Sequence, residues 1–149
     1  NFVNMVREVL NETDLEPGYL QLEITETAAM DGVSEKLQKM KILKDMGVGI
    51  AIDDFGTGYS SMAYLTEFPI DTLKIDRSFV KNLSDDETAK AIANTIISMA
   101  KTMNMKSTAE GVETEEQLIF LKDRGCDQIQ GYLISKPTES YIFEKEFFR

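Results

Sequence analysis

The stretch Gly49-Ile-Ala-Ile-Asp-Asp-Phe-Gly-Thr-Gly-Tyr-Ser-Ser61 joins an apolar segment to two adjacent carboxylates and a glycine-bearing loop. Because residues alternate between the two faces of a strand, we predict Ala51 and Asp53 on one face and Ile50 and Ile52 on the other. A carboxylate at the end of an apolar strand is costly unless its charge is compensated. The stretch predicts either a site that uses both acids or a strand that ends at a solvated acidic turn.

The composition indicates a globular chain whose chemistry does not involve imidazole. The 149 residues are 42% hydrophobic, which is enough for one domain with a core. The chain has no histidine, which excludes Ser–His–Asp catalysis and imidazole zinc sites, and its single cysteine, Cys126, is expected to be a small buried residue. The formal net charge of −10 argues against binding to DNA or RNA backbones, which normally takes a basic surface.

No apolar run in the sequence approaches the length that spans a membrane, and the N-terminus does not resemble a signal peptide. We therefore expect no membrane contact by this segment. A single cysteine fits a reducing compartment, so we expect a cytoplasmic location. If the chain is part of a longer parent protein, that protein could still be tethered to a membrane sensor.

Helical and strand patterns alternate along the chain, which indicates an α/β fold with a parallel sheet. An open doubly wound sheet is one solution, but no glycine-rich phosphate loop follows the first strand. The other is the C-terminal part, about five βα units, of a modified (β/α)8 barrel, which typically needs about 250 residues. We predict this partial barrel, with residues 1–149 as a single partial domain. The predicted strands are 19–25, 49–54, 72–76, 106–112 and 126–133, and the predicted helices are 1–13, 34–46 closed by Gly47, one capped at Ser84, one capped at Thr114, and 141–148.

Polar side chains stand at or near the C-terminal ends of all five predicted strands. In a barrel these ends converge on one mouth, where such residues are typically catalytic. One acidic strand end fits a solvated turn, but five polar ends in succession indicate a shared site. The residues are Glu23, Asp53 with Asp54, Lys74, Glu110 and Gln130.

Several carboxylates that converge without a counter-charge repel one another and take up protons. Without histidine ligands, the economical solution is one or two hard cations in an oxygen shell, Mg²⁺ or Mn²⁺, with Ca²⁺ as a further option. Such a site suits phosphodiester hydrolysis, because the cations activate water and stabilise charge on phosphate oxygens. Lys74 would orient that water or neutralise phosphate charge, or alternatively only pair with Asp53 or Asp76. Gln130 is alternatively a buried structural amide.

Five motifs in order resemble EAL-type cyclic-di-GMP phosphodiesterase domains, and the resemblance covers essentially the whole chain. Each motif alone is weak, but their order and spacing together are highly specific. The motifs are Glu23-Ile-Thr-Glu26, Asp53-Asp-Phe-Gly-Thr-Gly-Tyr-Ser-Ser61, Lys74-Ile-Asp76, Ala109-Glu-Gly-Val-Glu113 and Gln130-Gly-Tyr-Leu-Ile-Ser-Lys-Pro137.

The resemblance implies a modified (β/α)8 barrel and metal-dependent hydrolysis of cyclic-di-GMP to linear pGpG. It implies that Lys74 holds the attacking water, that Glu110 also acts as a general base, and that Gln130 helps to form the substrate pocket. The metal ligands that it implies are Glu23, Asp53, Asp54 and Glu110.

The resemblance further implies that Glu26 anchors the loop that couples metal binding to dimerisation. Glu113 matches the second acid of its motif and ranks below the other site residues. The implied partners are cyclic-di-GMP, a second copy of the parent in a homodimer, and an upstream sensor or diguanylate cyclase domain. The loop residues are Phe55, Gly56, Thr57, Gly58, Ser60 and Ser61.

The sequence departs from the family pattern in one respect. The Glu-Ala-Leu motif is absent, and so are the first strands of the barrel and the asparagine ligand that the family carries on one of them. We therefore expect a C-terminal segment of the domain that is inactive, or nearly so, on its own. The alternatives are a non-catalytic cyclic-di-GMP-binding or protein-interaction module, and a fragment that associates through its exposed sheet edge.

Overall fold

The computed structural model describes residues 1–30, 32–58 and 62–148. These residues form one sheet of five parallel strands in the order β1-β2-β3-β4-β5. Each strand pairs with the next one along the chain, as in a barrel wall. Within these residues β1 and β5 are the two edges. The predicted α/β fold with five parallel strands is confirmed. The strands are β1 Gln21–Thr25, β2 Gly49–Phe55, β3 Thr72–Ile75, β4 Lys106–Glu110 and β5 Gln128–Gln130.

Helices connect successive strands and cover the outer face of the sheet. The short helices α2 and α5 were not predicted, because five residues are too few to show a helical period. No helix within the described ranges is long and apolar enough to cross a lipid bilayer. The helices are α1 Phe2–Thr13, α2 Glu26–Met30, α3 Val33–Asp45, α4 Met62–Glu67, α5 Arg77–Lys81, α6 Glu87–Thr102, α7 Glu115–Arg124 and α8 Ser140–Phe147.

Two predicted helix starts had different outcomes. The predicted cap at Ser84 is wrong: α6 begins at Glu87, and the Asp86 carboxylate accepts hydrogen bonds from the Thr88 and Ala89 amides at 2.7 and 3.3 Å. The Asp86 amide is bonded to the Asn82 carbonyl, which keeps Ser84 in the turn that follows α5. The predicted cap at Thr114 is confirmed, with Gln117 completing a capping box.

The last strand is shorter than the predicted 126–133. Asp127 turns away from the ladder to accept hydrogen bonds from the Ser107 amide and hydroxyl at 2.8 and 3.0 Å. Beyond Gln130 the chain turns again, because the Gly131 carbonyl accepts from the Ile134 amide at 3.1 Å. Cys126 is half-buried rather than fully buried, and that burial raises the pKa of its thiol.

The two faces of the sheet differ in polarity. Ile52, Leu73 and Ala109 lie on the outer face and are fully buried under the helices. The alternate positions, which face the barrel interior, carry Thr72 and Lys74 among others, as the sequence pattern predicts. The apolar face therefore anchors the sheet and leaves the polar face for chemistry.

Two aspartates make the same contact at the N-terminal end of the sheet. Asp71 precedes β3 and accepts a hydrogen bond from the Ile50 amide at 2.8 Å, while its carboxylate also pairs with Lys44 at 2.6 Å. Asp127 precedes β5 and accepts from the Ser107 amide at 2.8 Å. Each carboxylate ties the start of a strand to its neighbour, at the end of the sheet opposite the polar strand ends.

Candidate functional site

Lys74 is the centre of a charged cluster on the inner face of the sheet. Its Nζ atom lies 2.7 Å from Glu23 Oε2, 3.1 Å from Asp53 Oδ1 and 2.5 Å from Glu110 Oε1. The lysine is only 4% exposed. Strands β1, β2, β3 and β4 thus each contribute one side chain, so the predicted convergence of these four strand ends is observed.

A β-bulge brings the fifth member, Asp54, into the cluster. Ile52 pairs with Leu73 and Phe55 pairs with Ile75, so β2 holds one residue more than β3 between these pairs. Asp54 takes up the extra residue with a left-handed φ of 54°, a conformation that aspartate adopts more readily than most residues. Without this bulge, strict alternation would place Asp54 on the face opposite Asp53.

Asp53, Asp54 and Glu110 form a set of oxygen ligands that fits a hard cation. One carboxylate oxygen from each residue lies within 4.8 Å of the others. Oxygen-only donors suit Mg²⁺, Mn²⁺ or Ca²⁺ rather than zinc or copper. The Lys74 ammonium lies among the carboxylates of the cluster and opposes part of their charge.

The cluster changes the proton affinity of its members. Burial lowers the pKa of Lys74, but hydrogen bonds to Glu110, Glu23 and Asp53 outweigh it and hold that pKa well above its usual value. Burial, together with the charges of Asp53 and Glu23, raises the pKa of Glu110 despite the opposing effect of Lys74. Desolvation, then Asp53 and Asp76, raise the pKa of Asp54. Lys74 therefore stays charged at neutral pH.

Asp76 belongs to the surroundings of the site but was predicted only as a possible ion-pair partner of Lys74. Within the described part of the chain Lys74 forms no ion pair with Asp76. The Asp76 carboxylate instead caps α5, accepting from the Ser78 amide at 2.9 Å, and interacts with Asp54. The Asp-x-Ser spacing at the start of a helix was the signal that could have identified this role.

Gln130 lies beside the cluster rather than within it. It pairs in register with Glu110 at the end of β5, and its side chain is exposed, so the alternative of a buried structural amide is wrong. With Gly131, Lys136 and Pro137 it lines a cavity of about 260 Å³. Glu113 is exposed and uses its backbone amide, which donates to Gln117 Oε1 at 2.7 Å.

Glu26 holds the loop that follows β2. Its carboxylate is 2% exposed, and Oε2 accepts from the Gly56 amide at 2.8 Å and the Gly58 amide at 3.2 Å. Gly58 packs closely on this carboxylate, since a Cβ there would lie 3.0 Å from the Glu26 carboxyl carbon. The Thr57 hydroxyl donates to the Asp54 carbonyl at 2.8 Å, which ties the loop to the bulge.

Two of the predicted loop residues, Ser60 and Ser61, lie outside the residues that the structure describes. Phe55 is buried at the end of β2, and Gly56 takes a left-handed φ of 98°. Such a φ is strained for any residue with a side chain, so the turn after Phe55 depends on glycine.

Comparison with known proteins gives concordant results. The profile of the EAL domain matches residues 1–137. A bifunctional diguanylate cyclase/cyclic di-GMP phosphodiesterase, MucR of Pseudomonas aeruginosa, is 47% identical over 135 residues, which are 91% of this chain and 20% of that protein. The chain therefore spans about one fifth of that relative.

Two solved structures are similar in fold as well as in sequence. A complex of the PaMucR phosphodiesterase with c-di-GMP superposes with a TM-score of 0.92 at 45% identity, covering 95% of this chain and 57% of that one. The complex of Klebsiella pneumoniae BlrP1 with manganese and cyclic di-GMP at pH 9.0 gives a TM-score of 0.84 at 32% identity, covering 91% and 34%.

Proposed function

The chain belongs to the EAL domain family, as its motifs predicted, and we propose that it forms part of a metal-dependent phosphodiesterase that hydrolyses cyclic-di-GMP to linear pGpG. The observation that carries the proposal is the convergence of Glu23, Asp53 and Glu110 on Lys74, with Asp54 added by the bulge. Relatives named as cyclic di-GMP phosphodiesterases support the reaction, and a neighbour solved with manganese and cyclic di-GMP supports the metal.

The metal in this proposal is Mg²⁺ or Mn²⁺. Asp53, Asp54 and Glu110 would hold it, with Glu23 as a further carboxylate ligand on the adjoining strand. A bound divalent cation supplies a water of lowered pKa and charge to oppose the phosphate oxygens. The donor set contains only oxygen atoms, which is what these two cations prefer.

Lys74 and Glu110 have complementary roles in the proposed reaction. Lys74 keeps its proton, so it acts as a hydrogen-bond donor that orients the attacking water or a phosphate oxygen, and not as a base. Glu110 has a pKa raised by burial, which suits a carboxylate that accepts a proton from water. Gln130, one strand further along, would contact the substrate from the cavity at the end of β5.

We assign a coupling role to the loop held by Glu26. Its hydrogen bonds to the Gly56 and Gly58 amides fix the segment that begins at Asp54, a proposed ligand. A shift of this loop would therefore move a metal ligand. In the complete protein we propose that Phe55, Gly56, Thr57, Gly58, Ser60 and Ser61 link metal binding to a homodimer contact.

The 149 residues are proposed to be one partial domain of a longer signalling protein. The chain covers 57% of a solved phosphodiesterase chain, and β1 lacks a partner on its outer side within the described residues. The polypeptide of 149 residues alone should therefore turn over substrate poorly. An upstream sensor or diguanylate cyclase domain in the parent fits the bifunctional relative, and a cytoplasmic location fits a nucleotide substrate.

The test compares the complete gene product that carries these residues with the 149-residue polypeptide. Both are incubated with cyclic-di-GMP and Mn²⁺, and pGpG is separated chromatographically. We expect pGpG from the complete protein, none after chelation of the metal, and a loss of at least about 100-fold in Asp53→Asn. The isolated polypeptide should give far less product.

Binding of cyclic-di-GMP without hydrolysis by the complete protein would overturn the enzymatic proposal. The protein would then be a receptor that senses the nucleotide and relays it to a partner. Equilibrium titration of the same preparations with labelled cyclic-di-GMP separates this outcome from a failure to bind at all.

A further inference from the structure

The segment that follows Glu110 is fixed from several sides, although none of its residues belongs to the charged cluster. Gly111 has a left-handed φ of 69°, and a Cβ there would lie 2.9 Å from the Cβ of Arg77, the first residue of α5. The chain leaving β4 therefore turns sharply and lies against the start of α5. This contact fixes one side of the segment.

The second side is held by a crossing of two backbones. The Val112 amide donates to the Gln130 carbonyl at 3.1 Å, and the Leu133 amide donates to the Val112 carbonyl at 3.0 Å. Val112 is fully buried between these partners. The loop after β4 is thereby tied to the turn after β5.

Gly131 lies beneath this crossing and leaves no space for a side chain. A Cβ at Gly131 would lie 2.2 Å from the Val112 carbonyl oxygen and 2.3 Å from its amide nitrogen. Its φ is not in the left-handed region, so close approach alone requires glycine here. Any side chain at this position would push Val112, and with it the end of β4, out of place.

The third anchor is the Gln117 side chain. It is 5% exposed, and its Oε1 atom accepts from the Glu113 amide at 2.7 Å and the Thr114 amide at 3.1 Å. A buried amide at this position holds two backbone donors that have no other acceptor on α7. Its position fixes the far end of the same segment.

We propose that Gly131 and Gln117 are positioning residues that hold the Glu110 carboxylate against Lys74, acting through the backbone of residues 111–114. This inference rests on the proposed function for the importance of Glu110, but it invokes only contacts between groups of the chain itself. Glu110 Oε1 lies 2.5 Å from Lys74 Nζ, and the same carboxylate is a ligand candidate together with Asp53 and Asp54. In metal sites, mutation of the residues that orient a ligand side chain lowers the affinity for the metal.

The direct readout is the ¹⁵N NMR signal of the Lys74 ammonium in the 149-residue chain with chelator present. Glu110→Gln defines the signal of a lysine that has lost the Glu110 carboxylate. We expect Gly131→Ala and Gln117→Met to move the signal toward that position. Gly18→Ala, where a Cβ meets nothing within 4 Å, should leave it unchanged.

Folded Gly131→Ala and Gln117→Met proteins whose Lys74 signal matches the wild type would overturn the proposal. If Gly131→Ala does not fold, Gln117→Met and hydrogen exchange on the unaltered chain still decide it. The Val112 and Leu133 amides should then exchange as slowly as the amides of β4, and rapid exchange would contradict the crossing.

A second readout separates this inference from the proposed function. Mn²⁺ affinity should fall about tenfold in Gly131→Ala, the low end of the loss seen when supporting residues are removed. The same substitution in the Glu110→Gln background should cause no further loss, because the effect passes through Glu110. If the wild-type chain binds no Mn²⁺, the metal proposal fails, while the Lys74 signal still tests the positioning residues.

Discussion

The Nζ atom of Lys74 lies 2.5 Å from Oε1 of Glu110, so a buried ammonium on β3 contacts a carboxylate on β4 on the inner face of the sheet. Glu23 and Asp53 surround the same ammonium group. One positive charge thus neutralises part of an acidic site that has no other cation within 4.0 Å among the described residues. The arrangement makes Lys74 both a stabilising residue and a candidate functional group.

Replacing Lys74 should destabilise the metal-free chain. Lys74→Met leaves three carboxylates close together without a cation, and we expect the free energy of unfolding to fall by about 2 kcal/mol. This is less than the ~3–5 kcal/mol of a fully buried pair, because Glu23 remains 43% exposed. Urea unfolding with chelator present measures the change.

A matched control is Lys39→Met, which removes an exposed ion pair with Glu35 one helical turn away. It should lower the free energy of unfolding far less than Lys74→Met does, because water screens an exposed pair. Equal losses in the two variants would show that burial of the Lys74 cluster has no energetic consequence.

Metal binding should strengthen as pH rises. The surroundings of Glu110 and Asp54 raise the pKa of both carboxyls, so they keep protons to a higher pH than usual. A cation needs the ionised forms, so its binding releases these protons and its affinity increases as pH increases through the raised pKa values. Mn²⁺ titrations by calorimetry between pH 4.5 and 7.5 measure the slope.

The slope should become shallower in Glu110→Gln, which removes one of the two protons released. Arg7→Gln is a suitable control, since Arg7 is exposed on α1, and its slope should match the wild type. An affinity that does not depend on pH in the wild type would place the cation away from these carboxylates.

Removing the Glu26 carboxylate should loosen the loop after β2. Glu26→Ala leaves the Gly56 and Gly58 amides without their acceptor, so we expect their hydrogen exchange to accelerate by about tenfold or more, which corresponds to about 1.4 kcal/mol of lost protection. Exchange followed by NMR resolves both amides. The exposed Glu12→Ala should change neither rate, and slow exchange retained in Glu26→Ala would remove the basis for loop coupling.

The two strand-start aspartates should differ in their response to salt. Asp71→Asn and Asp127→Asn should each lower the free energy of unfolding by about 1 kcal/mol, since each weakens hydrogen bonds to a neighbouring strand. The Asp71 effect should shrink at 1 M salt, because part of it comes from the half-exposed pair with Lys44, which salt screens. Thermal unfolding at low and high salt compares the two, and identical salt responses would refute this division.

Much of the fold and part of the site follow from local pattern. Alternation along a strand places Glu23, Lys74 and Glu110 on one face, and the order of the parallel strands brings that face together. The Asp54 position does not follow from alternation, because the bulge depends on the register between β2 and β3. Such register is a property of two strands, and neither strand's own sequence specifies it.

The same limit applies elsewhere in the chain. The need for glycine at Gly131 arises from the Val112 backbone, which comes from another strand-end loop and cannot be located from neighbours in sequence. The N-terminal cap of α6 is a second example. Both Ser84 and Asp86 fit a cap by residue type, and the hydrogen bond from the Asp86 amide to the Asn82 carbonyl decides between them. In each case the local sequence allows more than one conformation, and a contact with another part of the chain determines which one forms.

The most direct test of the proposed metal-dependent phosphodiesterase activity is cyclic-di-GMP hydrolysis by the complete gene product and its Glu110→Gln and Asp127→Asn variants, with Mn²⁺ and after chelation. Asp127 lies at the opposite end of the sheet, so this variant controls for a modest loss of stability. We predict Mn²⁺-dependent pGpG from the wild type and Asp127→Asn, and a loss of at least about 100-fold in Glu110→Gln. Hydrolysis that persists in Glu110→Gln, or that does not need a divalent cation, would contradict the assignment.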